Sequence, residues 1–334
     1  MRFLIIHPGF LGDALFLGPG IRALKSHWPE SWIGVCLTPR GAAVGRLLPG
    51  CNEVLVYDKR GADRGLRGLL RIGRKLRAFR PDVALISHRS LRSGVLGWLS
   101  QASRRVGYAP LCTERLSFPA DRPFPYRLLN CAAQVGANLQ DSALGLDAPE
   151  NEEYLETALA GAPAPIVGMV PGAEQPTKRW GSSGFGELAV RLSKRGASIV
   201  LLGGPAERDL AEDVRVKAQL PPGRNLAGNS IPESIAVLSR CDVVVGGDTG
   251  LVHCARALGI PVVMIFGPTP PGRHLFSERE RPVHLALDCQ PCHRSGQARC
   301  PLGHHRCMVD LSVAEVEQAL GQLWPQLEIR REEA

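Results

Sequence analysis

The residues with the clearest chemical potential lie in a Gly-rich turn between a short apolar run and a helix pattern. Residues 241–253 read Cys-Asp-Val-Val-Val-Gly-Gly-Asp-Thr-Gly-Leu-Val-His, which predicts a buried strand, a tight turn and a helix start. Main-chain N–H groups without intrahelical partners and the positive end of the helix dipole make such a junction a binding site for a diphosphate. Gly250 would let the main chain approach, and Thr249 could add a hydroxyl donor. A structural alternative stays open, in which Asp248 caps the helix and His253 faces the core.

A second polar patch, residues 171–180, follows another apolar strand pattern in the same half of the chain. Lys178 and Arg179 could offset the negative charge that builds up on a departing diphosphate, without a metal ion, and Thr177 adds a hydroxyl. A solvated loop would explain the same residues. The pattern therefore indicates either a leaving-group site or a plain surface loop.

Asp13 is the candidate for proton transfer in the first half of the chain. It stands at the end of the loop that follows the first strand pattern, where a helix begins. A general base needs a carboxylate within hydrogen-bond reach of the hydroxyl that it deprotonates. A helix cap needs only the local main chain, so the sequence leaves both roles open.

Four of the ten cysteines stand close together in the sequence, at spacings that could bind a metal. Four thiols can hold zinc tetrahedrally, although the second pair lacks the two-residue spacing of the first. A disulfide and reduced thiols are the alternatives, and no catalytic cysteine is predicted because no base partner can be assigned. The four are Cys289, Cys292, Cys300 and Cys307.

Short apolar runs alternate with helix-length segments in both halves of the chain, which predicts an α/β protein with parallel sheets flanked by helices. Two Rossmann-like domains of this kind would face a central cleft at the carboxyl ends of their strands. A polar, Pro-rich stretch marks the expected boundary. We expect one domain over residues 1–150, a linker over 151–165, a second domain over 166–312, and a helix over 313–327 that packs back toward the first domain.

Positive charge is concentrated in the first half of the chain. Residues 1–150 hold 21 Lys and Arg against 11 Asp and Glu, whereas the remainder holds 19 against 21. This imbalance favours an anionic partner, or it only keeps the protein soluble. Residues 64–80 have the pattern of a basic amphipathic helix, which could dock on an anionic membrane or pack its apolar stripe on the sheet. No apolar run is long enough to cross a bilayer, so we expect a cytoplasmic protein.

Five segments, taken in order, resemble the ADP-heptose:lipopolysaccharide heptosyltransferases of glycosyltransferase family 9, and most of all their heptosyltransferase II branch. The agreement extends over nearly the whole chain. The segments are residues 10–15, residues 171–174 with 178–180, residues 202–207, residues 225–228 and residues 247–253.

The resemblance implies a GT-B fold and an inverting transfer that needs no catalytic metal or other cofactor. The donor would be ADP-L-glycero-D-manno-heptose, bound by the second domain. The acceptor, bound by the first domain, would be the inner core of lipopolysaccharide, an anionic, phosphorylated and lipid-linked glycan. This acceptor implies peripheral contact with the cytoplasmic face of the inner membrane and no nucleic-acid partner, which gives the basic first half a use.

The resemblance also assigns roles to single residues. Asp13 would take the proton from the acceptor hydroxyl, and Lys178 would stabilise the departing ADP. Asp248 would hold heptose hydroxyls, while Glu207 would contact the ribose. The remaining residues with an implied place at the donor are Thr177, Arg179, Thr249, Gly250, Leu251 and His253.

Other functions stay open on the sequence alone. A glycosyltransferase of the same fold could use another nucleotide sugar or another acceptor, and a GT-B-type protein could bind glycans without catalysis. A dinucleotide-dependent dehydrogenase is disfavoured, because neither half has the Gly-x-Gly-x-x-Gly phosphate turn after its opening strand.

Overall fold

The computed structural model describes residues 1–137, 141–293 and 297–323, and they form two compact units. Unit 1 comprises Met1–Asp147 together with Arg273–Leu275, and unit 2 comprises Ala148–Gly272 and the described chain from Phe276 onward. The division after Asp147 falls close to the boundary that the sequence predicts at residue 150.

Unit 1 is built on a six-stranded sheet in the order β3-β2-β1-β4-β5-β6, and every pair in it is parallel. After Arg2, its central strand β1 is an uninterrupted apolar run, as strands buried on both faces are. Phe3 stands opposite Ile33 of β2 and Val83 of β4, and it is fully buried. The strands are β1 (Arg2–Ile6), β2 (Trp32–Leu37), β3 (Glu53–Val56), β4 (Val83–Ile86), β5 (Arg104–Gly107) and β6 (Glu114–Arg115). The helices are α1 (Leu11–Leu15), α2 (Gly18–His27), α3 (Pro39–Gly45), α4 (Gly65–Ala78), α5 (Leu91–Leu99) and α6 (Tyr126–Gln134).

Unit 2 repeats the plan with a five-stranded parallel sheet in the order β11-β10-β9-β7-β8. Every residue of β7 and β9 is buried, and Val167 of β7 pairs with Val243 of β9. The strands are β7 (Ile166–Val170), β8 (Ser198–Leu201), β9 (Val243–Gly247), β10 (Val262–Ile265) and β11 (Glu280–Val283). The helices are α7 (Glu152–Ala158), α8 (Ser182–Lys194), α9 (Arg208–Lys217), α10 (Ile231–Ser239), α11 (Gly250–Ala257), α12 (Arg306–Val309) and α13 (Val313–Gly321).

In each sheet the strand order reverses direction beside the first strand of the unit. The reversal lies between β1 and β4 in unit 1, and between β7 and β9 in unit 2. At such a switch point the loops after the two neighbouring strands diverge and leave a crevice at the carboxyl ends, which is the usual ligand site of open parallel sheets. These two points are therefore the expected ligand sites of the two units.

The segment expected to be a linker, residues 151–165, is instead an ordered part of unit 2. It contains α7, whose Leu155 and Ala158 are buried, and the hydroxyl of Tyr154 bonds to the side chain of Asn229. The sequence of this segment is typical of a connector because α7 is short and most of its residues are polar and face solvent. The expectation of a linker was wrong for this reason.

The helix expected over residues 313–327 is present as α13, while residues 324–327 lie outside the described part. We expected it to pack toward the first domain. The described residues of α13 pack on α8, β10 and β11 of unit 2, and its buried Val316 and Leu320 belong to the apolar core of that unit, so packing toward the first domain stays a prediction. Its apolar stripe is therefore used by the sheet nearest to it in sequence.

The basic segment 64–80 forms α4, and part of its apolar stripe packs inward. Ile72 and Leu76 are fully buried, and Phe79, just after the helix, is almost so. None of the helices in the described chain has the length and apolar composition that a bilayer-spanning helix needs.

Candidate functional site

At the switch point of unit 2, the loops after β7 and β9 meet through an ion pair between Lys178 and Asp248. Lys178 Nζ donates to Asp248 Oδ2 at 2.6 Å and to the Asp248 carbonyl oxygen at 3.3 Å. The two side chains are only 14% and 11% exposed. A buried ammonium group beside a helix N-terminus creates a local environment that favours negative charge.

The position of Lys178 depends on a close approach between two main-chain segments. Residues Pro176–Lys178 form a single turn of 3₁₀ helix. A Cβ at Gly247, the last residue of β9, would lie 2.8 Å from the Lys178 carbonyl oxygen, so only glycine permits this packing. Arg179 Nε donates to the Ala173 carbonyl oxygen at 2.9 Å and so braces the loop from its other end.

The turn after β9 presents the N-terminus of α11. Thr249 is the N-cap residue, in an extended conformation and without a side-chain capping bond. The structural alternative was wrong for Asp248, which is not the cap and bonds to other side chains, and right for His253, which is buried. The N–H groups of Gly250 and Leu251 have no partner within the helix, since they belong to its first turn. They are the groups that an anion at this end of α11 would use.

Asp248 is held by a chain of buried polar side chains. His253 Nε2 lies 3.1 Å from Asp248 Oδ1, and Thr269 Oγ1 donates to Asp248 Oδ2 at 3.0 Å. Arg256 Nη1 lies 3.2 Å from His253 Nδ1, and Arg256 Nη2 donates to Glu280 Oε2 at 2.9 Å. A guanidinium can only donate, so Nδ1 of His253 accepts from Arg256 and Nε2 carries the proton that goes to Asp248.

Three residues of this hydrogen-bonded network were not predicted from the sequence. Arg256 stands three residues after His253 on α11, a spacing that places both on one helix face, so the helical register could have revealed it. Thr269 and Glu280 stand in the sequence after β10 and at the start of β11. Their contact with α11 and its turn follows from strand order, which the sequence pattern does not specify.

Two further predicted donor residues lie nearby but are already engaged. Thr177 is 4% exposed, and its hydroxyl donates to the Gln297 carbonyl oxygen at 2.6 Å and accepts from the Gln297 N–H at 3.1 Å. Glu207 Oε2 accepts from the Gly204 N–H at 2.6 Å, while a Cβ at Gly172 would lie 2.4 Å from Glu207 Cδ. Glu207 therefore lies against the main chain just after β7, and its contact with the ribose stays a prediction, whereas Thr177 is bonded to the Cys-rich segment.

Asp13 lies in the first turn of α1, after the loop that follows β1. Its Oδ2 accepts from the Phe10 N–H at 2.9 Å, so the local capping role is present. In the described part of unit 1, its Oδ1 accepts no hydrogen bond. One oxygen of the carboxylate is thus committed to the main chain, and the other remains for a substrate.

Polar side chains from the ends of β1 and β4 meet at the switch point of unit 1. Buried His7 Nδ1 bonds to Ser87 Oγ at 2.8 Å, and the rings of His7 and His88 lie 5.5 Å apart. Burial lowers the pKa of His7 to about 4 against a smaller opposing effect of Asp13, so its ring is neutral at physiological pH. Lys59 Nζ donates to the Pro8 carbonyl oxygen at 2.7 Å and braces the loop that carries Asp13.

The four clustered cysteines are free thiols in the structure. Cys292, Cys300 and Cys307 line one small cavity, and main-chain N–H donors, that of His305 first, lower the pKa of the Cys300 thiol. Burial raises the pKa of Cys307 to about 11. In the described residues, no three of the four Sγ atoms lie within 4.8 Å of one another. A structural zinc site therefore stays a prediction.

The chain matches a model of glycosyltransferase family 9 (heptosyltransferase) over residues 69–302. Lipooligosaccharide heptosyltransferase 2 of Campylobacter jejuni is 33% identical to it, over 96% of this chain and 97% of that protein. Lipopolysaccharide heptosyltransferase 2 of Salmonella typhimurium is 24% identical, over 97% of this chain and 98% of that protein.

Solved structures show the same fold. A glycosyl transferase family 9 protein of Veillonella parvula superposes with a TM-score of 0.85 at 20% identity, over 97% of each chain. The ADP-heptose lipopolysaccharide heptosyltransferase II of Escherichia coli superposes with a TM-score of 0.77 at 23% identity, over the full length of both chains. The predicted GT-B class, with two parallel-sheet α/β domains, is confirmed.

Proposed function

This chain belongs to glycosyltransferase family 9 (heptosyltransferase), and from that premise we propose that it transfers L-glycero-D-manno-heptose from ADP-heptose to the inner core of lipopolysaccharide. The observation that carries the proposal is the ion pair of Lys178 with Asp248 beside the N-terminus of α11. It supplies a cation and main-chain donors for a diphosphate, and a carboxylate for sugar hydroxyls.

The donor end of the reaction is assigned to unit 2. The diphosphate of ADP would bind at the N-terminus of α11, where the hydroxyl of Thr249 and the N–H groups of Gly250 and Leu251 can donate. Lys178 would then exchange part of its contact with Asp248 for the β-phosphate, because a phosphate carries more charge than a carboxylate. Asp248, kept in orientation by His253, would accept hydrogen bonds from heptose hydroxyls.

The bond changes in this proposal balance without a further reactant. The acceptor hydroxyl oxygen bonds to the anomeric carbon on the face opposite ADP, and the bond from that carbon to the β-phosphate oxygen breaks. Asp13 takes the hydroxyl proton, and ADP leaves with the electron pair and a full negative charge on its terminal phosphate. Lys178 stabilises that charge as it forms. The outcome is inversion at the anomeric carbon.

The acceptor is an anionic glycan on a lipid anchor, and this chemistry fits the composition of unit 1. Residues 1–150 carry the whole positive excess of the chain, which would attract phosphorylated sugars through long-range electrostatics. An enzyme that uses such an acceptor works at the membrane surface, so peripheral contact with the cytoplasmic face of the inner membrane is part of the proposal.

The test is an assay of ADP release with purified protein, ADP-heptose and a lipopolysaccharide truncated before its second heptose. We expect ADP release only when donor and acceptor are both present, together with a heptosylated product. ADP-mannose and UDP-glucose serve as donor controls. Turnover with either control donor at a higher kcat/KM would contradict the heptose assignment, and donor binding without product would favour a non-catalytic glycan-binding protein.

A further inference from the structure

The helix α4 of unit 1 exposes large apolar side chains on the same surface as its cations. Leu66 is 71% exposed and Leu70 is 46% exposed, whereas Ile72 and Leu76 are fully buried. Leu66 and Leu70 are four residues apart and so share a helix face. The buried residues of α4 thus pack on unit 1 without these two leucines. Leu66 and Leu70 form an exposed apolar strip on the outer face of the helix.

The charges on this surface are of one sign. Residues 64–80 include seven Lys and Arg and no Asp or Glu. Arg71 pairs with Asp63 at 2.7 Å. Across the residues that the structure describes, the other six have no ion-pair partner within 4 Å. They are Arg64, Arg67, Arg74, Lys75, Arg77 and Arg80.

The contrast with α9 of unit 2 shows that this is not a general property of the protein. The two cations of its last turn are each paired along the helix, Arg215 with Glu212 at 2.7 Å and Lys217 with Asp213 at 2.8 Å. Val216 between them is 57% exposed. In the last turn of α9 a carboxylate neutralises each of the two cations, whereas the positive charge of α4 is left for a partner outside the unit.

The C-terminal end of α4 borders an open groove that suits a phosphate group. Arg74, Arg77 and Arg80 line it together with Ser100 and Gln101, which follow α5. Trp98, near the end of α5, is 57% exposed, and indole rings are enriched where apolar and aqueous phases meet. Three arginines and the amide of Gln101 therefore line this end of the surface, with Trp98 a few residues away, whereas the hydroxyl of Ser100 already donates to the Gly97 carbonyl oxygen.

We propose that the outer face of α4, with the groove at its C-terminal end, docks the protein on a bilayer that contains anionic phospholipid. Leu66 and Leu70 enter the boundary between headgroups and acyl chains, while the unpaired arginines contact lipid phosphates. This inference rests on the proposed function, because a lipid-anchored acceptor gives the docking its purpose. Binding to the bilayer itself needs neither donor nor acceptor.

The experiment measures co-sedimentation of the full chain with vesicles of phosphatidylethanolamine and phosphatidylglycerol, and with vesicles of phosphatidylcholine alone. We expect binding to the anionic vesicles only, weakening as salt screens the surface. The double substitution Arg74→Gln with Arg77→Gln should lower the partition coefficient roughly thirtyfold, at the energy that a cation gains near an anionic leaflet. Leu66→Ser with Leu70→Ser should lower it about tenfold through lost apolar burial.

The matched control is Arg215→Gln with Lys217→Gln on α9, which removes the same charge from a helix turn whose two cations are paired. It should leave vesicle binding unchanged. Equal losses for the α4 and α9 variants would overturn the proposal, as would retention of the native chain on duplex DNA without binding to anionic vesicles.

A parallel assay with a delipidated, water-soluble acceptor separates this inference from the proposed function. Heptosyl transfer to that acceptor by a native chain that ignores anionic vesicles would refute the docking surface and leave the function standing. Vesicle binding through α4 by a protein that transfers no heptose would refute the proposed function and leave the docking surface standing. At a saturating concentration of the soluble acceptor the α4 variants should keep the native kcat, since none of the substituted residues belongs to the donor or base positions.

Discussion

Asp13 and Asp248 each follow a switch-point strand of their unit, Asp13 in the first turn of α1 and Asp248 in the turn before α11. Their surroundings differ. Asp13 is bonded through Oδ2 to the main chain of its own turn, at the Phe10 N–H. Asp248 is bonded by side chains from three separate segments, among them the Lys178 ammonium at 2.6 Å and the His253 ring at 3.1 Å.

The difference separates two kinds of carboxylate chemistry. A general base must exchange its proton, so it needs an oxygen that is not already saturated by donors. Asp13 meets that condition at Oδ1, whereas both oxygens of Asp248 are occupied and its charge is neutralised by Lys178. Asp248 is therefore suited to orienting hydroxyls and Lys178 rather than to accepting a proton. A pattern of Gly and Asp at a strand–helix junction does not distinguish these roles.

The largest effect is expected from Asp13→Asn. The amide keeps an oxygen for the Phe10 N–H, so α1 should stay capped, but it cannot accept a proton. We expect turnover to fall by about two to four orders of magnitude, with the KM for ADP-heptose and the melting temperature nearly unchanged. Steady-state ADP release and a thermal melt measure both. A fall in melting temperature with turnover largely retained would make Asp13 a helix cap and remove the contrast with Asp248.

The next effect is expected from Lys178→Ala. It removes the cation that would meet the departing diphosphate, so kcat should fall about a hundredfold to a thousandfold, more than donor affinity does. Lys178→Arg serves as the matched control, because it keeps the charge while changing the geometry, and should recover part of the rate. An alanine variant with native kcat would exclude Lys178 from leaving-group stabilisation and leave it as the structural partner of Asp248.

The sequence predicted the fold and the segments of the site better than it predicted their bonding. Alternating apolar runs and helix patterns led to two parallel α/β units, and the Gly-rich turn led to Asp248 and the N-terminus of α11, because these features depend on short stretches of chain. The family resemblance paired Lys178 with the same site, which the ion pair supports.

Features that depend on contacts between residues far apart in the sequence could not be predicted from short sequence patterns. The sequence predicts that the Thr177 hydroxyl contacts the donor, whereas in the structure this hydroxyl is hydrogen-bonded to the main chain of Gln297 in the Cys-rich segment. Residues 151–165 looked like a linker because α7 is short and polar on one side. Glu280 carried no signal, since its partner Arg256 lies on another element and meets it only after β11 joins the sheet.

The smallest effect on activity is expected from Glu280→Gln, which tests whether the buried chain behind Asp248 positions it. Losing the carboxylate breaks a buried ion pair of Arg256, so the free energy of unfolding should drop by about 3 kcal/mol. If Arg256 also fixes the tautomer of His253, the KM for ADP-heptose should rise several-fold with kcat little changed, and ¹⁵N NMR of the ring should show a second tautomer. Arg256→Lys, which keeps a charge for Glu280 but has no planar fork for two acceptors, should show the same KM increase with a smaller loss of stability. A melting-temperature loss with native KM and a single His253 tautomer would mean that the pair stabilises unit 2 without orienting Asp248. The contrast with Asp13 would then depend on the bonds that Lys178 and Thr269 make to Asp248.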